Sequence, residues 1–296
     1  MDYKRRLLKE ATKHLFKRKP QSYKAILLDY PIYPTPRYGY GRDPHNRLIN
    51  ILNNNRHRYI ELLNTLTTFH SCIERIPYTM SNNIDPFWNN GYFPALDALA
   101  LYCVITAMKP KHYIEIGSGN STKFAKKAIK DFGLNTEMIC IDPKPRAEIK
   151  NIADKIIYCQ CEMADLSIFS RLEPNDILFI DGSHRCFMNS DVTTVFLDII
   201  PELKSGVLIH FHDIYLPYDY PPEMKEFFYS EQYLLAVMLL SMPQPDVLFP
   251  AFFIQNDREL MNILKPVTEA LSRTGFHGGS FWMRKSDPWA GNPAKS

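Results

Sequence analysis

The sequence predicts a doubly wound α/β fold preceded by an N-terminal helical extension. Two observations support this prediction. From residue 94 onward, short apolar segments alternate with segments of helical periodicity. The first five apolar segments are continuous runs, as expected of parallel strands that are covered on both faces. We predict seven strands, at residues 112–116, 137–141, 156–160, 176–180, 206–211, about 246–249 and 279–284.

Helices are predicted before and between these strands. Apolar residues recur every three or four positions from about residue 44 to residue 75. Further helices are predicted at residues 94–108, 121–132, 147–153, 165–171, 188–203 and 223–241. The last two strands are expected to form a closing hairpin-like pair at one edge of the sheet. We therefore divide the 296-residue chain into an N-terminal extension (1–90, with a basic helix, a Tyr- and Pro-rich loop and a second helix), an α/β domain (91–285) and a C-terminal tail (286–296).

The composition excludes several classes of protein. Hydrophobic residues make up 45% of the chain and charged residues 23%, which excludes disorder or a collagen-like repeat as a description of the whole chain. No apolar run reaches 18 residues, so we expect no membrane-spanning helix. The six cysteines form no Cys-x-x-Cys pair, which is typical of the reduced thiols of a cytoplasmic protein.

The net charge of +3 is unevenly distributed along the chain. Residues 1–19 contain eight Lys or Arg and two acidic residues, so this segment carries +6 and the remainder −3. The remainder therefore lacks the charge of a nucleic-acid-binding surface. The basic segment has one apolar helical face, which suits peripheral contact with an anionic membrane, although a solvated helical arm explains the same pattern. A homo-oligomer formed through this extension is a further expectation.

Ligands of open parallel sheets bind at the carboxyl ends of the strands, and the first predicted strand ends in a Gly-rich turn. The sequence from Glu115 to Thr122 reads Glu-Ile-Gly-Ser-Gly-Asn-Ser-Thr and opens into a helix. Thr122 stands where a dinucleotide-binding turn has Gly or Ala, and a buried Glu115 would repel a pyrophosphate but attract a cationic ligand. The second strand ends in Asp142, which suits a ribose diol, although Asp before Pro143 is also common in turns.

These turns, together with Leu-Phe-Ile-Asp-Gly-Ser-His at residues 178–184, resemble the class I S-adenosylmethionine-dependent methyltransferases. The run His-Phe-His-Asp-Ile-Tyr-Leu-Pro-Tyr-Asp-Tyr-Pro at residues 210–221 is similar to the macrocin O-methyltransferase-like branch, which tailors sugars and natural products. The resemblance covers roughly residues 90–285. It implies a seven-strand Rossmann-like methyltransferase sheet, mostly parallel with an antiparallel last strand, and S-adenosyl-L-methionine as the cofactor.

The same resemblance implies cofactor contacts at the ends of the first four strands. The Gly-rich turn would line the methionyl part, Glu115 would support its ammonium group, and Asp142 would hold the ribose hydroxyls. The segment after the third strand would contact the adenine. The implied cofactor-binding residues are Glu115, Gly117, Ser118, Gly119, Ser121, Asp142, Glu162, Met163 and Asp181.

Strands four and five should be neighbours about 4.8 Å apart, so the residues that follow them should converge. The resemblance implies that Asp181, His212 and Asp213 bind a divalent cation (Mg, Mn, Fe or Zn), which would lower the pKa of an acceptor hydroxyl. The imidazole in this set favours Mn, Fe or Zn over Mg. The metal-free alternative is general base catalysis by a histidine. The catalytic candidates are therefore Asp181, His184, His212 and Asp213.

The preferred interpretation is a cytoplasmic S-adenosylmethionine-dependent O-methyltransferase. Its acceptor would be a hydroxyl of a small molecule, a sugar or a natural-product precursor, and no nucleic-acid partner is expected. Two alternatives stay open. The Gly-rich turn and Asp142 also suit an NAD(P)-dependent oxidoreductase. The basic segment 1–19 also suits a membrane-docked, non-enzymatic partner of a glycan or secondary-metabolite pathway, peripheral to the inner face of the membrane.

Overall fold

A computed structural model describes residues 31–271 and 276–286 of the chain. The chain divides into two compact units, residues 1–35 and 36–296. Of the first unit, only residues 31–35 are described, as exposed chain without regular secondary structure. The domain boundary predicted at residue 90 lies within the second unit and stays a prediction. The basic segment 1–19 and residues 287–296 of the tail lie outside the described residues.

A seven-strand sheet forms the centre of the second unit. In chain order its strands are β1 (His112–Ile116), β2 (Glu137–Ile141), β3 (Lys155–Ile157), β4 (Ile177–Ile180), β5 (Leu208–Phe211), β6 (Asp246–Pro250) and β7 (Phe281–Arg284). The spatial order is β3-β2-β1-β4-β5-β7-β6, and the pairs among β1 to β5 are parallel. β7 runs antiparallel to both of its neighbours, which confirms the predicted mostly parallel sheet with an antiparallel last strand.

The apolar runs form the buried centre of this sheet. Every residue of β4 and of β5 is buried, because helices cover both faces and leave no solvated side that would need polar residues. The strand order reverses between β1 and β4, which are direct neighbours. This reversal opens a crevice at the carboxyl ends of β1 and β4, and doubly wound proteins bind ligands in such a crevice.

Helices pack around the sheet and before it. They are α1 (Asn46–Asn54), α2 (Arg56–Thr67), α3 (His70–Ile73), α4 (Ala95–Met108), α5 (Asn120–Asp131), α6 (Asp191–Thr194), α7 (Glu231–Ser241), α8 (Ala251–Gln255), α9 (Arg258–Ile263) and α10 (Lys265–Ala270). Residues 95–106 of α4 are all buried, and this helix packs against α5 and α2. Within residues 31–271 and 276–286, no helix combines the length and the hydrophobicity that crossing a bilayer requires.

Several predicted connections differ from the structure. The helix predicted at residues 147–153 is wrong, because the segment forms a turn that already buries its two isoleucines, Ile149 and Ile152. The segment 165–171 forms a 3-10 helix, Leu166–Arg171. The strands β6 and β7 pair antiparallel at one edge, as predicted, and residues 251–280 between them include α8 to α10.

The two long helices predicted after β4 and β5 are also interrupted. After α6 the chain continues as a π-helix, Val195–Ile199, and then as a 3-10 helix, because Pro201 has no N–H to extend the α-helical pattern. The segment 223–241 begins as a 3-10 helix and breaks at Phe228, whose φ is +52°. The break lets α7 start afresh at Glu231, beside the end of β4.

Candidate active site

The turn after β1 leaves room for a ligand. Gly117 has a φ of +78°, and a Cβ there would lie 1.9 Å from the carbonyl oxygen of Asp181, so close packing against the end of β4 requires glycine. A Cβ on Gly119 would meet no protein atom within 4 Å. The Oγ of Ser118 is buried and has no hydrogen-bond partner among the described residues. Open space beside Gly119 and an unpartnered hydroxyl are features that a bound cofactor would use.

Glu115 is fully buried on β1 and is directed at the first turn of α5. Its Oε2 accepts a hydrogen bond from Thr122 Oγ1 at 2.7 Å, and its Oε1 accepts one from Ser121 Oγ. Burial raises the pKa of Glu115 to about 8, although these hydrogen bonds act in the opposite direction. The group is therefore largely uncharged at neutral pH, which weakens the electrostatic argument for a cation beside it. The cofactor contacts predicted for Glu115 and Ser121 stay predictions.

Asp142 follows β2 and is held by the main chain. Its Oδ2 accepts from the N–H of Ser118 and its Oδ1 from the N–H of Lys144, both at 2.7 Å. Each carboxylate oxygen can accept a second hydrogen bond, so the group remains able to bind a diol. Glu162 and Met163 lie in the short 3-10 helix Cys161–Met163 that follows β3, where the adenine contact was predicted.

Four side chains from the ends of β4 and β5 converge, and we refer to Asp181, His184, His212 and Asp213 as the His–Asp cluster. The Nε2 of His184 lies 3.4 Å from Asp181 Oδ1 and 3.5 Å from Asp213 Oδ2. The Nδ1 of His212 lies 3.6 Å from Asp181 Oδ1 and 3.7 Å from Asp213 Oδ1. The parallel register of β4 with β5 produces this meeting, as the strand order predicted.

Each histidine of the cluster contacts a buried carboxylate that sequence reasoning missed. His184 Nδ1 lies 2.8 Å from Glu231 Oε2, and His212 Nε2 lies 3.1 Å from Asp97 Oδ2. Both carboxylates belong to the first turn of a largely apolar helix, α7 for Glu231 and α4 for Asp97, and both are buried. A lone acid in such a helix is costly to bury unless it is paired, and this was the only signal for these residues in the sequence.

The charges in this region do not balance. With both imidazoles protonated and all four carboxylates ionised, the cluster together with Asp97 and Glu231 would carry a net charge of −2, although burial raises the pKa of Glu231. Burial disfavours charged imidazoles, but the carboxylates outweigh it, raising the pKa of His212 to about 9 and that of His184 well above its ordinary value. Burial likewise acts to raise the pKa of Asp181, yet the two histidines hold it below its ordinary value. The site thus favours an additional cation.

The chemistry of the donor atoms in the cluster suits a divalent cation, since imidazole nitrogen and carboxylate oxygen are ligands of Mn, Fe and Zn. Their positions do not form such a site, however. Across residues 31–271 and 276–286, no group of three or more His, Cys, Asp or Glu side chains is arranged to hold a metal ion. The metal-binding role of Asp181, His212 and Asp213 therefore stays a prediction.

Tyrosine rings line the segment that leads from Asp213 to α7. The ring of Tyr229 lies 4.7 Å from that of His184, and Tyr220 lies 5.8 Å from Tyr229. Tyr215 lies 5.8 Å from Tyr220 in turn. These rings place an aromatic wall beside the cluster, and such walls stack on planar or sugar rings.

The chain was compared with protein families and with individual proteins. Residues 114–214 match the family model Methyltransf_24, a methyltransferase domain. An uncharacterized protein of Archaeoglobus fulgidus is 33% identical over 111 residues, which is 34% of this chain and about half (49%) of that relative's length.

Two solved structures with bound S-adenosylhomocysteine show a remote likeness to the chain. The Podospora anserina methyltransferase PaMTH1 has a TM-score of 0.42 at 18% identity, over 75% of this chain and 88% of that one. The plantazolicin methyltransferase BpumL has a TM-score of 0.36 at 15% identity, over 63% of this chain and 85% of that one. Both are too distant to bear on the details of the site.

The crevice has two halves, which we refer to as the cofactor side (the turn after β1 and Asp142) and the acceptor side (the His–Asp cluster). The segment that matches the family model contains both. It begins within β1 and ends directly after Asp213, so it includes the turn at Gly117, the diol-binding candidate Asp142 and the whole His–Asp cluster. The macrocin O-methyltransferase-like branch stays a prediction. Residues 114–214 are thus similar to a methyltransferase domain, and the class I, S-adenosylmethionine-dependent type stays a prediction.

Proposed function

We propose that the protein transfers the methyl group of S-adenosylmethionine to a hydroxyl group of a small-molecule acceptor. The observation that supports this most directly is the contact between the two halves of the crevice. The backbone of Asp181 packs against Gly117 of the cofactor turn, while the side chain of Asp181 belongs to the His–Asp cluster. A methyl donor at the turn would therefore lie next to groups that can accept a proton.

The bound cofactor would supply a methyl group activated by a sulfonium sulfur. A histidine of the cluster takes the proton from the acceptor hydroxyl, whose oxygen forms the new bond to the methyl carbon while the C–S bond breaks and leaves its electron pair on sulfur. A sulfonium bound at the turn would oppose the imidazolium charges and would lower the pKa of the histidines, so that one of their nitrogens could act as the base. The aspartates stabilise the imidazolium that forms.

A divalent cation held by Asp181, His212 and Asp213 is a second candidate for the same task. The net negative charge around the cluster favours this proposal, although the side chains would have to move to form the site. Such a cation would lower the pKa of the acceptor hydroxyl. For the acceptor we propose a sugar or a natural-product precursor, because the half-buried rings of Tyr215 and Tyr229, which pack against the buried Tyr220, suit stacking on a ring.

Calorimetry with S-adenosylhomocysteine tests the cofactor assignment. We expect binding in the micromolar range and weaker binding by Asp142→Asn, because the charge that suits the ribose hydroxyls is lost. Binding of NADH in place of S-adenosylhomocysteine would instead favour the oxidoreductase alternative. No binding of S-adenosylhomocysteine at high micromolar concentration would reject the proposal.

Transfer of a labelled methyl group to sugars, nucleotide sugars and phenols tests the acceptor class. The assay is run with a chelator and then with added Mn²⁺, Zn²⁺ or Mg²⁺. Turnover that survives the chelator supports the histidine base. Turnover that a divalent cation restores supports the metal candidate, and a methylated nitrogen or carbon in the product would contradict O-methylation.

A further inference from the structure

We infer that Glu231 is a positioning residue that selects His184, rather than His212, as the base of this active site. The inference rests on the proposed methyl transfer and decides between two histidines that the sequence left equivalent. It is drawn from the contacts of the two imidazoles and of the carboxylates behind them.

The start of α7 holds His184 through its backbone and its side chain. The carbonyl oxygen of His184 accepts hydrogen bonds from the N–H groups of Ser230 at 2.8 Å and of Glu231 at 3.2 Å. Its Nδ1 lies 2.8 Å from Glu231 Oε2, where an Nδ1–H donates to the carboxylate. Because Nδ1 is engaged, only Nε2 is left to exchange a proton. These three contacts allow the ring a single orientation and a single reactive nitrogen.

The free nitrogen of His184 faces the crevice. Nε2 is directed at Asp181 and Asp213, whose side chains are 27% and 26% exposed, whereas the ring of His184 itself is 5% exposed. The imidazole therefore lies at the floor of a solvent-accessible crevice, with the aspartates between it and the opening. The Nδ1 of His212 lies 3.6 and 3.7 Å from the same two aspartates, so the carboxylates behind the rings are what distinguish the two histidines.

Asp97, the carboxylate behind His212, also bonds to the main chain. Asp97 accepts hydrogen bonds from the N–H of Gly279 at 2.9 Å and of Ser280 at 2.8 Å, in addition to its contact with His212. These bonds tie α4 to the segment that enters β7, so Asp97 has a structural reason to be buried. Its charge is shared among three donors, and less of it acts on His212.

Among the described residues, the carboxylate of Glu231 accepts no such hydrogen bond from the main chain. Its Oε2 contacts His184, and its Oε1 is buried with no hydrogen-bond partner in the described parts of the chain. A carboxylate that is 1% exposed and half unsatisfied costs stability, and its contact with the ring of His184 is the interaction that offsets this cost. A buried acid of this kind fixes the tautomer of a catalytic histidine and stabilises the imidazolium that forms during the reaction.

The test compares Glu231→Gln with Ser230→Ala. Gln keeps the size and an acceptor oxygen but removes the charge, so we expect kcat to fall by about 10- to 100-fold, with the acceptor KM and the Kd of S-adenosylhomocysteine within about twofold of wild type. Ser230→Ala loosens the same helix start by removing the hydroxyl that accepts from Cys186 N, yet it leaves the ring of His184 in place. If both variants lose kcat equally, the role of Glu231 is structural and the inference is overturned.

A second readout needs no turnover. The side-chain ¹⁵N resonances of His184, assigned by their loss in His184→Gln, are followed as the pH is raised until the ring is neutral. The remaining proton should then lie on Nδ1 in the wild-type protein and be distributed between both nitrogens in Glu231→Gln. Unchanged His184 resonances in Glu231→Gln, or a kcat within about twofold of wild type, would overturn the inference. If the resonances shift as expected but wild-type protein methylates no acceptor, the pairing stands and the proposed function fails.

Discussion

The two halves of the crevice differ in how their acidic side chains are satisfied. On the cofactor side, hydroxyl and main-chain donors bond to both oxygens of Glu115 and both oxygens of Asp142. On the acceptor side, Asp181 and Asp213 face imidazole nitrogens at 3.4–3.7 Å, longer than an ordinary hydrogen bond. Folding alone therefore satisfies the two acids of the first half. The second half keeps unbalanced charge, which a substrate or a cation would satisfy on binding.

Removing one charge from the acceptor side should have the largest effect on turnover. Asp213 has a φ of +54°, a conformation that Asn tolerates better than Ala, so Asp213→Asn is the suitable variant. We expect methyl transfer to fall by about 10²- to 10⁴-fold, because Nε2 of His184 loses a charged neighbour. Calorimetry should show nearly unchanged binding of S-adenosylhomocysteine. Normal turnover by this variant would mean that the acceptor side is wrongly assigned.

Substitutions of the two glycines in the turn after β1 should have different effects, one mainly on stability and the other mainly on cofactor binding. Gly117→Ala combines a φ of +78° with a Cβ 1.9 Å from the carbonyl oxygen of Asp181, so we expect a loss of about 2–4 kcal/mol in the free energy of unfolding. Gly119→Ala meets no protein atom within 4 Å, so it should cost much less stability while it fills the space beside the turn.

Urea unfolding and calorimetry of the two glycine variants check this contrast. Gly119→Ala should weaken binding of S-adenosylhomocysteine by at least about tenfold, since the added methyl group takes the place of part of the ligand. Equal losses of stability in the two variants, or full binding by Gly119→Ala, would show that the open space at Gly119 is not a cofactor site.

The sequence predicted the parts of the site that follow strands. Asp181 and Asp213 end neighbouring parallel strands, and parallel pairing brings such ends together whatever the intervening chain does. Glu231 and Asp97 could not be placed in this way, because they lie on helices whose packing depends on the whole fold. The continuous apolar run of β1 indicated that Glu115 is buried, but not that its oxygens would turn toward the helix that follows.

The last contrast between the two halves concerns the pH dependence of stability. Burial raises the pKa of Glu115 from its ordinary value of 4.5 to about 8, so between these values the folded state holds one proton that the unfolded state has lost. Stability from this group is therefore complete below pH 4.5 and is lost as the pH rises toward 8, by up to about 1.4 kcal/mol per pH unit. Glu115→Gln is uncharged at every pH and carries no such dependence.

Urea unfolding of the wild type and of Glu115→Gln at several pH values between 5 and 8 measures this difference. We expect the variant to gain stability relative to the wild type steadily as the pH rises. The cofactor side would then be a region where an acid is kept neutral by the fold, in contrast to the charged acceptor side. A difference that stays constant with pH would mean that Glu115 is ionised in the folded protein, and the charge contrast between the two halves would fail.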